Sequence, residues 1–472
     1  MRRLCTISIL VAGAFVPAAR AGFDDDFTGR TLRVDAFHAG TAGEEQVALD
    51  RARIEGPWPG SRTQLLDPTN LGAYLVEVAD RATNRVMYTR GFGSIYGEWE
   101  TTGEAADGTW RVFPEAVRVP EPRRPFQVRL RKRGPDGSFG EIWSVTLDPS
   151  SRFVDRAPPP VGRVWSIAEH GDPAVKVDLL ILGDGYTATD MEAFHADARR
   201  IAAALFAEEP FASRKTDFNV RALDTPSERS GVTRPRSGIF HDSPLGTRYN
   251  IFDSERYVLT LDDRRWRDRA AAAPYDFVLI LVHERQYGGG GIYQLYATAA
   301  ARSAFSEYLA VHEFGHHFGA LGDEYFTSPV AYETEDGPRI EPWEPNVTAL
   351  LDPSTLKWSD LVTGSTPLPT PWGKEAFEER SRAFQAERQR LRESSAPEED
   401  LERLFTEERT LFTGMLAAEP HARAVGAFEG ALYSARGLYR PSADCIMFTR
   451  DPVGFCPVCR RAIERIIDLY AR

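Results

Sequence analysis

The stretch Val311–Tyr325 reads VHEFGHHFGALGDEY and contains an H-E-x-x-H signature. Its outer histidines, His312 and His316, are four residues apart, so on a helix they lie on one face, one turn above each other. Two imidazoles in that arrangement can bind one Zn²⁺, and Glu313, beside the first, can reach a water on the metal. The pattern therefore predicts a helix that carries a zinc hydrolase site.

The third protein ligand is expected just beyond the end of this helix. We expect the helix to begin near Ser303 or Ser306 and to end at Gly319, which can take the left-handed conformation that closes a helix. A catalytic zinc takes three protein ligands and keeps one open position for water. Asp323 is the favoured third ligand, and Glu324 is the alternative.

The predicted chemistry is hydrolysis of a peptide bond. Zinc lowers the pKa of its water to about 7, and Glu313 takes the water proton and delivers it to the leaving amine. Tyr325 or Tyr439 could donate a hydrogen bond to the oxyanion. His317 is about a quarter turn from His316, so we expect it to support the site or to face solvent.

A second stretch, Ser442–Phe448, resembles the methionine turn that lies beneath the zinc in metzincin-type metallopeptidases. In such a turn Met447 is a soft apolar floor for the ligand histidines and does not bind the metal. Taken alone, a methionine packed in the core would be the default interpretation. Its position after a helix with H-E-x-x-H followed by glycine favours the turn.

Length and composition limit the function classes. A chain of 472 residues exceeds one ordinary core and predicts two domains, and 42% hydrophobic with 27% charged residues is typical of a soluble globular protein. The net charge of −12 repels polyphosphate, so a nucleic-acid partner is not expected. The expected partner is a protein or peptide substrate, and the oligomeric state is left open.

The first residues, Met1–Ala21, have the layout of a secretory signal peptide. Arg2 and Arg3 precede an apolar run, Leu4–Val16, that is too short to span a bilayer, and small residues precede the cleavage position near Ala21. We expect a periplasmic or secreted product without a membrane span, in a compartment where disulfides persist.

Three cysteines follow the predicted signal peptide: Cys445, Cys456 and Cys459. Three permit one disulfide and one free thiol, and a disulfide from Cys445 to one of the other two is expected. The spacing of Cys456 and Cys459 is also that of a redox motif, but nothing around them resembles a thioredoxin unit.

The pattern from 22 to 154 predicts an N-terminal antiparallel β-sandwich domain. Phe126, Val128 and Leu130 alternate with polar residues, as in a half-buried strand, and similar strands are separated by turn sequences. A linker at 155–174 follows, with three prolines from Pro158 to Pro160 that stiffen it.

From 175 to 472 strands alternate with helices, which predicts a mixed-sheet catalytic domain and an α+β class for the whole chain. Val175–Leu182 and Asp276–His283 are apolar strands, the second of them central. Gly288–Gly291 is either a flexible turn or an edge strand that a substrate backbone can approach closely. The charged segment 374–417 predicts an inserted helical hairpin, a cover or lid, divided near Ser394–Pro397.

Four sequence blocks taken in order resemble the bacterial IgA-peptidase family of zinc metalloendopeptidases. They are FNVRALDTPSERSGV (Phe218–Val232), HEFGHHFGALGDEY (His312–Tyr325), VGAFEGALYSARGLYRPSADCIM (Val425–Met447) and FCPVC (Phe455–Cys459). The resemblance implies a zincin-like, metzincin-like catalytic domain with one zinc and endopeptidase activity, with His312 and His316 as ligands and Glu313 as base. In the broader metzincin pattern the third ligand falls where this chain has Gly322, one residue before Asp323.

Two other functions are compatible with these residues. One is a catalytically idle, secreted binding protein whose sandwich domain holds a glycan or protein, and the presence of Glu313 argues against it. The other is a zinc amidase acting on cell-wall peptides, which only substrate tests separate from a protease. Immunoglobulin A is not implied as the substrate, because no hinge-peptide pocket is recognisable in the sequence.

Overall fold

The computed structural model describes residues 22–328 and 340–471, and the predicted signal peptide, Met1–Ala21, lies outside them. The N-terminal part consists of two four-stranded sheets. Its strands are β1 (Phe27–Gly40), β2 (Glu45–Pro57), β3 (Tyr74–Asp80), β4 (Val86–Phe92), β5 (Arg111–Pro122), β6 (Phe126–Arg133), β7 (Phe139–Leu147) and β8 (Val154–Asp155). Its helices are short: α1 (Phe23–Asp26), α2 (Ile95–Trp99) and α3 (Gly103–Ala106).

The two sheets, ordered β5-β1-β2-β8 and β4-β3-β6-β7, enclose one apolar core. The predicted alternation along β6 is observed, since Phe126, Val128 and Leu130 are buried and pack with Leu32 and Ile54 of the facing sheet. Every pairing is antiparallel except the short contact of β2 with β8. The predicted antiparallel sandwich and the α+β class are confirmed.

A six-stranded mixed sheet forms the centre of the second part, in the order β13-β14-β12-β10-β11-β9. Its strands are β9 (Val164–Ala168), β10 (Val177–Asp184), β11 (Phe218–Leu223), β12 (Phe277–Val282), β13 (Gly289–Ile292) and β14 (Tyr296–Ala300). The helices that accompany it are α4 (Met191–Leu205), α5 (Asp263–Ala270) and α6 (Ser306–Gly319). As predicted, β12 is central, and every residue of it is buried.

Alternate residues of β10 enter two different cores. Leu179 and Ile181 face α4 and α6, whereas Leu180 and Leu182 face α5 and the sandwich side chains Tyr96 and Trp99. The sandwich therefore covers one face of the six-stranded sheet, and α6, the helix with the H-E-x-x-H signature, covers the other.

The stretch predicted as a linker, 155–174, contains part of this sheet. Its residues Val164–Ala168 form β9, which pairs antiparallel with β11 as an edge strand. The indole of Trp165 also donates to Asp224 over 3.0 Å. The free connector is therefore shorter than predicted, because the segment after the prolines is recruited by the exposed edge of β11.

The C-terminal part contains the predicted helical hairpin, α7 (Lys374–Glu393) and α8 (Glu398–Ala417), then β15 (Phe428–Ala431), β16 (Ser434–Arg440) and α9 (Pro457–Tyr470). The hairpin divides at the predicted place. Its two helices join through Phe377 and Phe412, whose ring centroids lie 4.4 Å apart. Among the described residues, no helix is long and apolar enough to cross a bilayer.

Candidate metal centre and active site

Helix α6 presents the two motif histidines on one face, as their spacing predicts. The helix ends at Gly319 as predicted, but the left-handed conformation is taken by the next residue, Ala320, with a φ of 57°. Gly319 is the last helical residue, and a Cβ there would lie 3.1 Å from Ile463 and Leu321 side-chain atoms. A side chain at Gly319 would thus be tightly packed against these two residues, and the chain turns sharply one residue later.

Three side-chain atoms converge beyond this turn. Nε2 of His312 and Nε2 of His316 lie 3.2 Å apart, and Oδ1 of Asp323 lies 3.1 Å from the first and 3.2 Å from the second. Ligand atoms held tetrahedrally about 2.0–2.1 Å from a Zn²⁺ ion would be separated by about 3.3 Å. The triangle therefore has the dimensions of one face of a tetrahedral metal site.

The hydrogen bonds of the two imidazoles leave this triangle able to bind a cation. Nδ1 of His312 lies 2.9 Å from the Ile446 carbonyl, and Nδ1 of His316 lies 2.5 Å from the Leu321 carbonyl. A carbonyl only accepts, so both Nδ1 atoms carry a proton, and Nε2 is the atom of each ring that is left to bind a cation. Asp323 Oδ1 is also an acceptor, and it receives no hydrogen bond from any described residue.

The electrostatics of the site act in the same direction. Burial disfavours a charged ring at His316, but the Asp323 carboxylate overcomes this and raises the pKa of His316 to about 9. The pocket thus attracts positive charge, which a proton or a metal ion can supply.

The structure separates the two carboxylates considered as third ligand. Asp323 points at the histidines, whereas the carboxylate of Glu324 turns the other way and accepts from Asn346 over 2.9 Å. Asn346 also exchanges two hydrogen bonds with the backbone of Gly322, and so fixes the turn that separates them. Of the two carboxylates, that of Asp323 is the one placed to share a metal ion with the two histidines.

Glu313 is half-buried and borders the same cleft as the histidines. Burial raises the pKa of its carboxyl, while the charges of His312 and His316 act against the rise. A carboxylate with a raised pKa beside a metal site is suited to accept a proton from water and to release it again.

The cleft has a volume of about 890 Å³ and is bordered by three parts of the chain. The second domain contributes the triangle formed by His312, His316 and Asp323. The sandwich contributes residues such as Lys132 and Arg133, and the helical hairpin contributes residues such as Gln385 and Phe412. The hairpin thus borders the cleft, and its role as a cover or lid stays a prediction.

Sequence reasoning missed two side chains of the site. The hydroxyl of Tyr433 donates to Oδ2 of Asp323, and Arg256 donates to the hydroxyl of Tyr325 over 3.0 Å. Tyr433 and Arg256 both lie far from the H-E-x-x-H motif in sequence. Of the two predicted oxyanion donors, Tyr325 borders the cleft, whereas Tyr439 pairs through its backbone with Thr348 and is not among the described residues that border it.

The glycines at 288–291 are not a flexible turn, because Gly289–Ile292 is the edge strand β13. A Cβ at Gly291 would lie 2.1 Å from the Glu313 carbonyl oxygen, so this strand packs directly on α6. Its outer edge is partly occupied, since the Val258 N–H donates to the Gly289 carbonyl over 3.1 Å. Close approach of backbones is thus observed, and the approaching backbone belongs to the chain itself.

His317 neither faces solvent nor approaches the metal triangle. It is fully buried, and its ring accepts from the Val278 N–H over 3.1 Å and donates to the Ile292 carbonyl over 3.0 Å. Burial lowers the pKa of His317 to about 3, so the ring is neutral near pH 7. His317 connects α6 to strands β12 and β13.

The stretch predicted as a methionine turn packs against the helix that carries the two histidines. Met447 is fully buried, and a Cβ at Gly315 would lie 2.9 Å from its sulfur. The predicted disulfide is not formed: Sγ of Cys445 and Sγ of Cys459 are 3.9 Å apart, and all three cysteines are free and buried. A disulfide would require about 2.05 Å.

Two models of known protein families match the chain. The model of the family described as IgA Peptidase M64 matches residues 165–467, and the model described as Peptidase M64 N-terminus matches residues 22–144. The chain belongs to the IgA peptidase M64 family. A comparison with the curated proteins gave no match.

Membership of this family makes the chain a peptidase of the metallopeptidase type, with protein or peptide as substrate. The two matched ranges leave 145–164 between them, which is the stretch that contains the prolines. The described residues of the range 165–467 include two groups of side chains that could hold a metal ion. The group formed by His312, His316 and Asp323 borders the cleft.

Proposed function

We propose that the protein is a zinc-dependent endopeptidase in which His312, His316 and Asp323 hold the metal and Glu313 is the general base. The convergence of three potential ligand atoms in a triangle with sides of 3.1–3.2 Å, in the lining of a cleft, is the observation that carries the proposal. When bound, Zn²⁺ supplies Lewis acidity toward a water molecule and the scissile carbonyl.

Glu313 takes the proton from the attacking water and passes it to the leaving amine. Its position one residue after His312 places it on the helix face next to the ligands, and its raised pKa favours proton uptake during the reaction. Proton transfer by a positioned carboxylate contributes on the order of 10²–10⁴ to the rate.

Tyr325 is the better of the two predicted oxyanion donors. Its ring stacks on the His312 ring at a centroid distance of 6.2 Å, and Arg256 holds its hydroxyl. Burial raises the pKa of Tyr325, so the hydroxyl keeps its proton and can donate to developing negative charge.

Cleavage within a chain, and not only at its ends, is supported by the size of the cleft. Its volume of about 890 Å³ is near the upper end of the range of about 300–1,000 Å³ for ligand sites, which leaves room for several residues. We further propose export, on the signal-peptide pattern of Met1–Ala21, with a mature chain that begins at Gly22.

The experiment that tests this function is cleavage of an unfolded protein by the purified mature chain. We expect cleavage at internal bonds, loss of activity in a zinc chelator, and recovery when Zn²⁺ is returned, because the histidines and Asp323 hold the metal reversibly. Cleavage that continues after the metal has been removed and measured as absent would contradict the proposal.

A further inference from the structure

Behind the catalytic triangle lies a second group of metal-ligating side chains: Glu324, Cys445, Cys456 and Cys459. All four residues are buried, and one ligand atom from each lies within 4.8 Å of all the others. None of the four borders the cleft. This group, here called the cysteine cluster, therefore has no direct part in substrate binding.

The distances within the cysteine cluster fit a metal ion and not a disulfide. Ligand sulfurs about 2.3 Å from a tetrahedral Zn²⁺ would lie about 3.8 Å apart, and the Sγ atoms of Cys445 and Cys459 are 3.9 Å apart. A zinc-bound sulfur and carboxylate oxygen would lie about 3.5 Å apart, and Cys459 Sγ is 3.3 Å from Glu324 Oε1.

Glu324 supplies a second, independent sign of a missing partner. Its side chain is fully buried, and its Oε2 receives no hydrogen bond from any described residue. A buried carboxylate oxygen without a donor is costly unless a cation or another donor satisfies it. Glu324 therefore brings a carboxylate with an unused acceptor oxygen to the three cysteines.

The local sequence is also that of a structural zinc site. Cys456 and Cys459 are separated by two residues, the usual spacing of paired cysteine ligands, and they lie at the N-cap and in the first turn of α9. Cys445 comes from the methionine turn and Glu324 from the turn after α6. Four protein ligands leave no open position, as in structural rather than catalytic sites.

We propose that Glu324, Cys445, Cys456 and Cys459 bind a second Zn²⁺ ion, which is structural and supports the catalytic centre. The support follows from the residues that are adjacent in sequence to Glu324 and Cys445. Glu324 follows Asp323, and its N–H donates to the Met447 carbonyl over 2.9 Å. Cys445 precedes Ile446, whose carbonyl holds His312. The ion ties together the segments that orient two catalytic ligands.

The first test measures zinc in the purified wild-type chain and in a His312→Ala/His316→Ala variant. We expect about two zinc ions per chain in the wild type and about one in the variant, because the cysteine cluster keeps its ion. Adding Cys459→Ser to the histidine variant should remove the remaining ion. A histidine variant that folds and contains no zinc would overturn the proposal.

The second test needs no substitution and reads a signal that the catalytic site cannot give. We expect the wild-type chain loaded with Co²⁺ to show thiolate-to-cobalt charge-transfer absorption in the near ultraviolet, since of the two groups found among the described residues the cysteine cluster is the one that offers sulfur. Peptide mapping without reductant should find all three thiols free. Absence of the charge-transfer band, or a disulfide among the three cysteines, would contradict the site whether or not the enzyme cleaves peptides.

Discussion

Asp323 is the residue on which the proposed catalytic metal centre depends most, because its Oδ1 completes the triangle with the two histidines. We expect Asp323→Ala to weaken zinc binding at this site by about 100-fold or more, since even groups that only orient a ligand contribute 10–100-fold. The measurement is a competition titration with a chelator of known affinity, in which Asp323→Ala/Cys459→Ser is compared with Cys459→Ser alone so that one site is read in the same background.

Tyr433→Phe is the matched control for Asp323→Ala. It removes only the hydroxyl that donates to Oδ2 of Asp323 and leaves the carboxylate in place. A loss of about 10-fold is expected, smaller than that of the ligand itself. Unchanged zinc affinity in Asp323→Ala would remove Asp323 from the ligand set, whatever the control shows.

The sequence predicted which side chains lie together where that depends on local spacing. His312, Glu313, His316 and Asp323 lie within twelve positions of one another, so helix geometry and one turn were enough to bring them together. His317 was different, because its partners are backbone groups of Val278 and Ile292, and only the packing of α6 on the sheet decides that it is buried.

Strand β13 packs directly on helix α6, and Gly291 is the residue that permits this contact. We expect Gly291→Ala to destabilise the chain by about 3 kcal/mol or more, because its Cβ would lie 2.1 Å from the Glu313 carbonyl oxygen and the two backbones would have to separate. Chemical denaturation measures the free energy of unfolding, and peptide cleavage should fall as well, because the base moves.

Gly140→Ala is the control, since this glycine is also in a strand and a Cβ there would have no atom within 4 Å. Its effect should stay within about 0.5 kcal/mol. Equal effects of the two substitutions would contradict a specific contact between β13 and α6.

Elements with a strong local signal were predicted well, and those defined by distant partners were not. The hairpin α7–α8 and the strand β6 follow from helical charge patterning and period-2 alternation. Val164–Ala168 is a strand only because β11 offers an open edge. The three cysteines lie on two segments whose approach to each other and to Glu324 is decided by tertiary packing, so their spacing alone did not exclude a disulfide.

The sandwich and the six-stranded sheet share a core, so the two parts of the whole molecule stabilise each other. A buried histidine in the sandwich makes the stability of the folded chain dependent on pH. His38 is 2% exposed and lies 2.8 Å from Glu115 and 2.7 Å from Glu45. Burial alone would lower the pKa of His38, but the two carboxylates raise it to about 9.

The raised pKa gives the sign of the effect. The charged ring stabilises the folded state fully below about pH 6.5, the usual histidine pKa, and this stabilisation is lost as the pH rises to about 9. We expect the difference in unfolding free energy between wild type and His38→Gln to shrink by up to roughly 3 kcal/mol across that window. Urea denaturation at pH 6.5 and 9.5 measures it, and a difference independent of pH would contradict the ion pairing.

The most direct measurement of the catalytic proposal is cleavage by Glu313→Gln, with its zinc content determined on the same sample. Glutamine keeps the size of the side chain and leaves the three ligands intact but cannot take up a proton near neutral pH. We predict full zinc content and a fall in turnover of about 100-fold or more. Undiminished cleavage by a zinc-loaded Glu313→Gln chain would contradict the role assigned to Glu313.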